Sequence, residues 1–153
     1  MKNDISNTKA FTIRIYGILI SQNNELLISE EWYKNMKFTK FPGGGLELGE
    51  GSIDCLKREF KEELGLEIQV TSHFYTTDFF VVSAFNPEVQ VLSVYYMVQP
   101  SHMPDLPKRQ LNTKLAKDEV MKFVPLASLQ ADTFFSFPID RHVGKLLWEK
   151  LKS

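Results

Sequence analysis

The alternation of apolar and polar positions divides the first third of the chain into strand-like segments and loops. Residues 11–20 (FTIRIYGILI) are rich in β-branched and aromatic side chains, which favours a strand. A polar turn (SQNN) separates them from a second predicted strand, ELLIS. The next segment, EEWYKNMKFTK, is predicted to be a surface loop, and FPGGGLELGEG contains too much glycine for a regular helix or strand.

A helix is predicted over about residues 52–64. Its apolar side chains recur at helical spacing and form one stripe. They are Ile53, Leu56, Phe60 and Leu64. Ser52 is the expected N-cap, because its hydroxyl can accept a hydrogen bond from the first turn. Gly65 favours the left-handed conformation that ends a helix, and Leu66 can then fold back onto Phe60.

Four strand-like segments and a closing helix are predicted after this helix. The strand segments are EIQVTSHFY, TDFFVVSAF, VQVLSVYYMVQP and VMKFVPL. The second and third should form a long antiparallel hairpin around NPE, and residues 89–98, apolar on both faces, should be covered on both sides. SHMPDLPKRQLNTKLAKD is a long polar loop. The apolar positions of the closing helix are Val143, Leu146, Leu147 and Leu151.

This order of elements predicts an α/β fold, with one mixed β-sheet between helices and a single domain over residues 1–153. The formal net charge of -1 gives no basic field for a nucleic-acid polymer or an anionic membrane. The polar start, MKNDISNTKA, and the short apolar runs lead us to expect a cytoplasmic protein. Cys55, the only cysteine, is expected to be a buried thiol.

Three glutamates stand close together in the predicted helix. At about 100° per residue, Glu62 lies about 60° to one side of Glu59 and Glu63 about 40° to the other, so all three project from one face. Like charges at this spacing destabilise a helix slightly unless a cation neutralises them. The cluster is therefore either a solvated face, balanced by an Arg58–Glu62 ion pair, or part of a cation site.

The glycine-rich segment in front of the helix favours the cation site. Gly43, Gly44 and Gly45 let a ligand approach the backbone closely, with N–H groups for phosphate oxygens and carbonyl groups for a metal. Mg²⁺ prefers oxygen ligands and usually combines a few carboxylates with waters and substrate phosphates. Arg14, between two isoleucines of the first strand, either faces solvent or reaches a phosphate.

Residues 44–66 resemble the Nudix (MutT-like) hydrolase family. Gly44, five residues, Glu50, seven residues and then REFKEELGL match the family's G-x5-E-x7-R-E-U-x-E-E-x-G-U motif at every specified position. The resemblance implies an α/β/α sandwich with a mixed β-sheet between helices. It also implies hydrolysis of a nucleoside diphosphate linked to another moiety, as in nucleoside triphosphates, ADP-ribose or nucleotide sugars. Mg²⁺ would be the cofactor, with Mn²⁺ as a substitute.

The same resemblance implies roles for individual residues. The implied metal ligands are Glu59, Glu62, Glu63 and the Gly43 carbonyl. Arg58 and Glu50 resemble the pair that braces the loop against the helix, with Arg58 also orienting the catalytic glutamates. The general base would be Glu59 or an acid in LAKDEVMKFVPL, either Asp118 or Glu119. Gly44, Gly45 and Arg14 are the candidates for binding substrate.

Two questions stay open at this stage. The family's markers for ADP-ribose and for dinucleoside polyphosphates are absent around FVVS (residues 80–83), so the resemblance names no particular substrate. A non-catalytic nucleotide-sensing module on the same fold is the alternative, although every motif glutamate is present. Surplus apolar surface predicts a homodimer through residues 79–98 or 11–20, unless residues 138–150 or 101–117 cover that surface.

Overall fold

The computed structural model describes residues 7–103 and 119–152. Seven strands and two α-helices follow one another along these residues, with a short 3-10 helix, Leu126–Gln130, before the last helix. The strands are β1 (Ala10–Ile18), β2 (Glu25–Tyr33), β3 (Met36–Lys40), β4 (Gly43–Gly45), β5 (Ile68–Thr76), β6 (Val89–Pro100) and β7 (Glu119–Pro125). The helices are α1 (Ser52–Leu64) and α2 (Pro138–Leu151). No helix within the described residues is long and apolar enough to cross a membrane.

The strands form two sheets. One has the order β4-β1-β6-β5 and the other β3-β2-β7. β6 pairs parallel with β1 and antiparallel with β5, so the first sheet is mixed. The predicted α/β class, with sheets flanked by helices, is confirmed, but the strands divide between two sheets where one was expected.

Two buried clusters lie on opposite faces of β6. Tyr95 packs with Ile139, Val143 and Leu147 of α2 in the first cluster. Val98 packs with Leu56 and Phe60 of α1 and with other residues in the second. Since successive strand residues point to opposite faces, β6 is covered on both sides as predicted. Helix α2 supplies one of these covers, which removes part of the surplus apolar surface on which the dimer prediction rested.

The predicted surface loop EEWYKNMKFTK is in fact a hairpin. β2 pairs antiparallel with β3 from Ser29↔Lys40 to Tyr33↔Met36. The two turn residues, Lys34 and Asn35, have φ of 49° and 64°. Positive φ at both positions is the type I′ geometry that suits a two-residue hairpin. The prediction failed because the segment is strongly charged and lacks the usual Asn-Gly turn signal.

The three glycines predicted to be irregular form strand β4. They pair antiparallel with β1, with Gly45 opposite Arg14, Gly44 opposite Ile15 and Gly43 opposite Tyr16. Gly43 has φ +149°, and a Cβ on it would lie 2.1 Å from the Ile15 carbonyl oxygen. A side chain is therefore excluded at Gly43. Glycine weakens most strands because it has no side chain to pack, but here the missing Cβ allows β4 to pair with β1.

The long hairpin predicted for residues 79–98 does not form. Val82 makes an isolated bridge with Gln90, and two further backbone bonds join Ser83 to Val89 and Val91 to Val81. Beyond them β6 pairs with β1 and β5 instead. Residues 81–86 therefore approach β6 only at its start, and they form a wall of the cavity described below.

Helix α1 has the predicted bounds, with two corrections to its side chains. Its N-cap is Gly51, without a side-chain cap bond, and the hydroxyl of Ser52 hydrogen-bonds the Tyr96 hydroxyl at 2.7 Å. Ile53 is 42% exposed, and buried Cys55 joins Leu56 and Phe60 on the packed face. The C-terminus is as predicted: Gly65 is left-handed at φ 64°, and Leu66 packs in the same cluster as Phe60.

Helix α2 also forms where it was predicted, but the packed face is turned slightly. Val143 and Leu147 are fully buried, whereas Leu146 and Leu151 are 38% and 41% exposed. Ile139 and Asp140, in the first turn, complete the buried face. Most of the long polar loop, and Asp118 with it, lies outside the described residues.

Candidate active site

A cavity of about 540 Å³ lies between the first sheet, the C-terminal half of α1 and the start of α2. Its walls include Arg14 of β1, the three glycines of β4, Glu59 and Glu63 of α1, and residues 81–86. The lining also includes parts of β6, residues 137–140, and further residues of three strands: Thr12 and Tyr16 of β1, Glu31 of β2 and Lys40 of β3. The glycines and two of the three clustered glutamates thus open onto one space, although they are separated along the chain.

Arg58 joins the loop before α1 to the helix itself. Its Nε and Nη2 donate to the two carboxylate oxygens of Glu50 at 2.9 and 2.7 Å. Nη1 donates to Glu59 at 3.0 Å and to Glu62 at 3.2 Å, and Nη2 also donates to the Gly45 carbonyl at 3.2 Å. The Arg58 hydrogen bonds lower the pKa of Glu50 to about 2. This is the contact expected of a brace between Arg58 and Glu50, a role that stays a prediction.

The three helix glutamates do not share one environment. Glu59 and Glu63 line the cavity, whereas the side chain of Glu62 is 44% exposed and is bound to Arg58. Burial, followed by the nearby charges of Glu119 and Glu59, raises the pKa of Glu63 well above its ordinary value. Glu59 and Glu63 are therefore accessible to a ligand in the cavity, while Glu62 is not part of its lining and hydrogen-bonds Arg58 at 3.2 Å.

Glu119 lies directly after the long polar loop and belongs to β7. It is the first residue of β7 and is 3% exposed. β7 pairs with β2 along the whole length of β7, so Glu119 lies inside the sheet's pairing. The Ser29 hydroxyl of β2 donates a hydrogen bond to its carboxylate at 2.9 Å. Glu119 is therefore buried, and its charge raises the pKa of Glu63, but it is not among the residues that line the cavity.

The glycine at position 44 leaves room for the Glu59 carboxylate. A Cβ built on Gly44 would lie 2.4 Å from the carboxylate carbon and from one of its oxygens. Real non-bonded atoms do not approach so closely, so the carboxylate occupies the space that any other residue would fill. The sequence analysis assigned Gly44 and Glu59 to one candidate site, and the structure brings them into a direct contact that was not predicted.

Arg14 lines the cavity, so its contact with a phosphate stays a prediction that this position allows. Its Nε donates to the Tyr16 hydroxyl at 3.2 Å. Burial opposes its charge, but Tyr16, Glu59 and Glu31 together keep its pKa above the ordinary value. A cation held in this way beside the β4 glycines is suited to phosphate oxygens.

Lys40 and Asp140 were missed by the sequence analysis. Lys40 is 7% exposed and lines the cavity, and its Nζ lies 3.4 Å from Oε1 of Glu31. Asp140 is 3% exposed and accepts a hydrogen bond from the Tyr95 hydroxyl at 2.5 Å. Burial raises the pKa of Asp140 to about 6. A signal for Asp140 existed, since it precedes Val143 by three residues and so lies on the apolar face of the amphipathic helix.

The donor atoms suit a hard divalent cation. Within residues 7–103 and 119–152, no three carboxylate, imidazole or thiolate side chains are already arranged to hold a metal ion. The charges of Glu119 and Glu59 nevertheless act on Glu63, and the Glu59 carboxylate lies against Gly44 of β4. A cation that takes only part of its ligands from protein, such as Mg²⁺, would relieve this crowding of acids.

Comparison with known proteins identifies the family. The model of the NUDIX domain matches residues 11–143, so the chain belongs to the Nudix family. Nudix hydrolases act on pyrophosphate bonds and generally use divalent metal ions, so the prediction of a hydrolase acting on phosphoric anhydrides is confirmed. No curated protein matches the chain.

Solved structures with the same fold have low sequence identity to the chain. A NUDIX hydrolase from Nitrosomonas europaea aligns with a TM-score of 0.70 at 17% identity, over 91% of this chain and 89% of that one. The E. coli ORF135 protein aligns with a TM-score of 0.69 at 15% identity, over 98% and 96%. The MutT protein from Methanosarcina mazei aligns with a TM-score of 0.65 at 16% identity, over 95% and 98%. These similarities establish the fold.

Proposed function

We propose that the chain is a Mg²⁺-dependent pyrophosphohydrolase of a nucleoside diphosphate linked to another moiety. The observation that carries this proposal is one cavity in which Glu59 and Glu63 face the glycine backbone of β4, with Arg14 and Lys40 also in its walls. Acids to hold a cation and cations to hold phosphates are the two parts that hydrolysis of a diphosphate needs.

The residues divide into groups with different tasks. Glu59, Glu63 and the Gly43 carbonyl would hold Mg²⁺, with Glu62 as a further ligand if its side chain turns away from Arg58. A bound Mg²⁺ supplies charge neutralisation at the phosphoryl oxygens and a lower pKa for a water molecule. Arg14 would bind phosphate oxygens directly, and Gly44 and Gly45 would admit them close to the backbone.

Attack of water on phosphorus also needs a proton acceptor. Glu59 and Glu119 are the candidates within the described residues. Glu119 is held by Ser29 at 2.9 Å, so its carboxylate is oriented before substrate binds. We propose Glu119 as the base, with Glu59 held against Gly44 as a ligand of the cation. The pH profile of kcat in Glu119→Gln and Glu59→Gln would separate the two, since loss of the base removes the acidic limb.

A panel of nucleoside diphosphate derivatives, assayed with Mg²⁺ for released phosphate products, tests the proposed activity. Turnover should disappear with a chelator and return with Mg²⁺ or Mn²⁺. Glu63→Gln should lower kcat by roughly 100-fold or more. Glu67→Gln is the matched control, because Glu67 is an exposed acid paired with Lys61 at 2.9 Å outside the cavity. Nucleotide binding without turnover on the whole panel would favour the sensing module instead.

We also propose that the protein is a homodimer. The hairpin offered as one interface is absent, and both faces of β6 are covered within the chain. The other interface, residues 11–20, keeps two exposed apolar side chains, Phe11 at 72% and Ile13 at 38%. Large apolar side chains exposed on one strand support an interface there.

A further inference from the structure

One face of the second sheet carries four polar side chains that the proposed function uses only in part. Lys40 of β3 lies opposite Ser29 of β2, and Glu31 of β2 lies opposite Glu119 of β7. Paired residues of antiparallel strands project to the same side of a sheet, and so do Ser29 and Glu31, which are two positions apart. The four side chains therefore form one polar group on the face that bears Lys40.

Two like charges stand next to each other in this group. Glu31 and Glu119 are directly opposite across β2 and β7, an arrangement that destabilises a sheet unless a cation compensates it. Lys40 supplies a cation, since its Nζ lies 3.4 Å from Oε1 of Glu31 and both side chains line the cavity. The side chain of Lys40 is 9% exposed and that of Glu31 is 15% exposed, so salt and water screen this pair far less than a surface ion pair. Lys40 therefore acts strongly on the acids around it.

The charge of Lys40 also reaches the acids of the candidate active site. Burial opposes that charge, but four nearby groups outweigh burial and raise the pKa of Lys40. In decreasing order of effect they are Tyr16, Glu31, Glu63 and Glu119. The effect is mutual, because burial and the neighbouring acids disfavour the charged form of Glu63, whereas Lys40 favours it. Lys40 thus neutralises, within the protein, part of the negative charge that would attract a metal ion.

We propose that Lys40 is a positioning residue that couples the binding of the divalent cation to the binding of substrate. In the free protein its ammonium group neutralises the charge of Glu63 and Glu119, so these acids attract a divalent cation only weakly. A substrate brings phosphate oxygens into the cavity that Lys40 lines, and these oxygens compete for the same ammonium group. The acids then attract the cation fully only when a substrate is present. This inference rests on the proposed function for its metal and its phosphates.

Lys40→Met tests the inference, because it removes the charge and keeps a side chain of similar length. Titration of the protein with Mn²⁺ in the absence of substrate, with free Mn²⁺ measured by electron paramagnetic resonance, gives the affinity. We expect Lys40→Met to bind Mn²⁺ about 10-fold more tightly than the wild-type protein, or more, because a charge that repels the cation is gone. An affinity within twofold of wild type, or a weaker one, would overturn the inference.

Lys37→Met is the matched control. Lys37 belongs to the same strand, lies three positions before Lys40 and so projects from the opposite face, where it pairs with Glu30 at 3.1 Å. Its replacement should leave the Mn²⁺ affinity unchanged. Lys40→Arg keeps the charge and should also bind Mn²⁺ as the wild-type protein does. A gain in either variant as large as that of Lys40→Met would contradict the role of the Lys40 charge.

Turnover gives a second readout that a loss of packing would not produce. In Lys40→Met the Mg²⁺ concentration for half-maximal activity should fall, because the acids are no longer neutralised. The KM for the substrate should rise, because a cation that binds phosphate is lost. A general structural defect would raise both values, and that result would count against the proposal.

The stability of Lys40→Met is also decisive. Without Lys40, Glu31 and Glu119 face each other with one cation fewer, which destabilises the metal-free protein. Mn²⁺ supplies positive charge nearby, so it should raise the Tm of Lys40→Met more than that of the wild-type protein. A variant that folds neither with nor without Mn²⁺ would overturn the inference, because Lys40 would then serve the stability of the sheet alone.

The two proposals can fail separately, because Mn²⁺ binding is measured without turnover. Tighter Mn²⁺ binding by Lys40→Met, with no hydrolysis of any nucleotide by the wild-type protein, would keep the assignment of Lys40 and reject the hydrolase. Hydrolysis by the wild-type protein, with equal Mn²⁺ affinity in Lys40→Met, would keep the hydrolase and reject the assignment.

Discussion

The contact between Gly44 and Glu59 makes Gly44→Ala a sharp test of the site. The backbone at Gly44 does not have a positive φ, so alanine can adopt its conformation. The added Cβ would lie 2.4 Å from the Glu59 carboxylate. Since the carboxylate is the far end of a flexible side chain, it can move aside, and β4 should keep its pairing with β1.

The required movement sets the size of the effect. An ordinary contact of about 3.4 Å, against 2.4 Å here, means that the carboxylate must retreat by about 1 Å. Arg58 holds it at 3.0 Å, so the retreat also disturbs the bond that orients it. A misplacement of about 1 Å in a catalytic group can cost about 100-fold in rate. We expect kcat to fall by about that factor, with a higher Mg²⁺ requirement and little change in Tm.

Steady-state kinetics over a Mg²⁺ titration, with thermal unfolding followed by circular dichroism, would measure these effects. Gly51→Ala is the matched control: it adds the same methyl group to the same loop, and its Cβ would lie 3.7 Å from the nearest atom of Asp54. It should leave kcat unchanged. A Gly44→Ala enzyme with kcat within twofold of wild type and an unaltered Mg²⁺ dependence would refute the placement of Glu59 in catalysis.

Three further predictions follow from the packing, the acids and the surface. Phe60→Ala should cost roughly 3–5 kcal/mol in urea unfolding, because Phe60 is 1% exposed in the core; a loss as small as that of Ile53→Ala would contradict its core role. Glu63→Gln should stabilise the metal-free protein, because the raised pKa of Glu63 means that folding disfavours its charge. This gain should be absent below about pH 4 and grow as pH rises, while Mg²⁺ should no longer raise Tm; an unchanged Mg²⁺ effect would count against the ligand role. Sedimentation equilibrium should show a dimer, and a single mass near 17.7 kDa at micromolar concentrations would reject it.

The parts of the fold that the sequence predicted correctly depend on neighbours along the chain. Helix α1 was predicted with its observed bounds because its apolar spacing and Gly65 act within one or two turns. The link between Arg58 and Glu50 was found through a motif, whose spacing reflects a contact across one loop. In each case the residues that determine the structure lie within a single short segment.

The errors arose where a distant segment determines the structure. β4 consists of three glycines and exists because β1 offers a partner and Gly43 fits against the Ile15 carbonyl. Residues 81–86 have strong strand propensity, but β6 is already paired with β1 and β5 over most of its length. Pairing with a third segment is then limited to the start of β6. Strand propensity alone does not include such competition between partners.

The buried acids show the same limit and also point to function. A carboxylate with a pKa of about 6, against an ordinary value of 3.8, means that the ionised Asp140 is disfavoured in the folded protein by about 3 kcal/mol near neutral pH. An asparagine could accept the Tyr95 hydrogen bond without this cost, so the bond that links β6 to α2 does not explain the charge. Within the chain, the charges of Lys40 and Arg14 favour the ionised carboxylate, and an amide would gain nothing from them. The buried charge at Asp140 therefore belongs to the electrostatics of the cavity that it shares with Lys40 and Arg14, three residues that are far apart along the chain and that no local sequence pattern brings together.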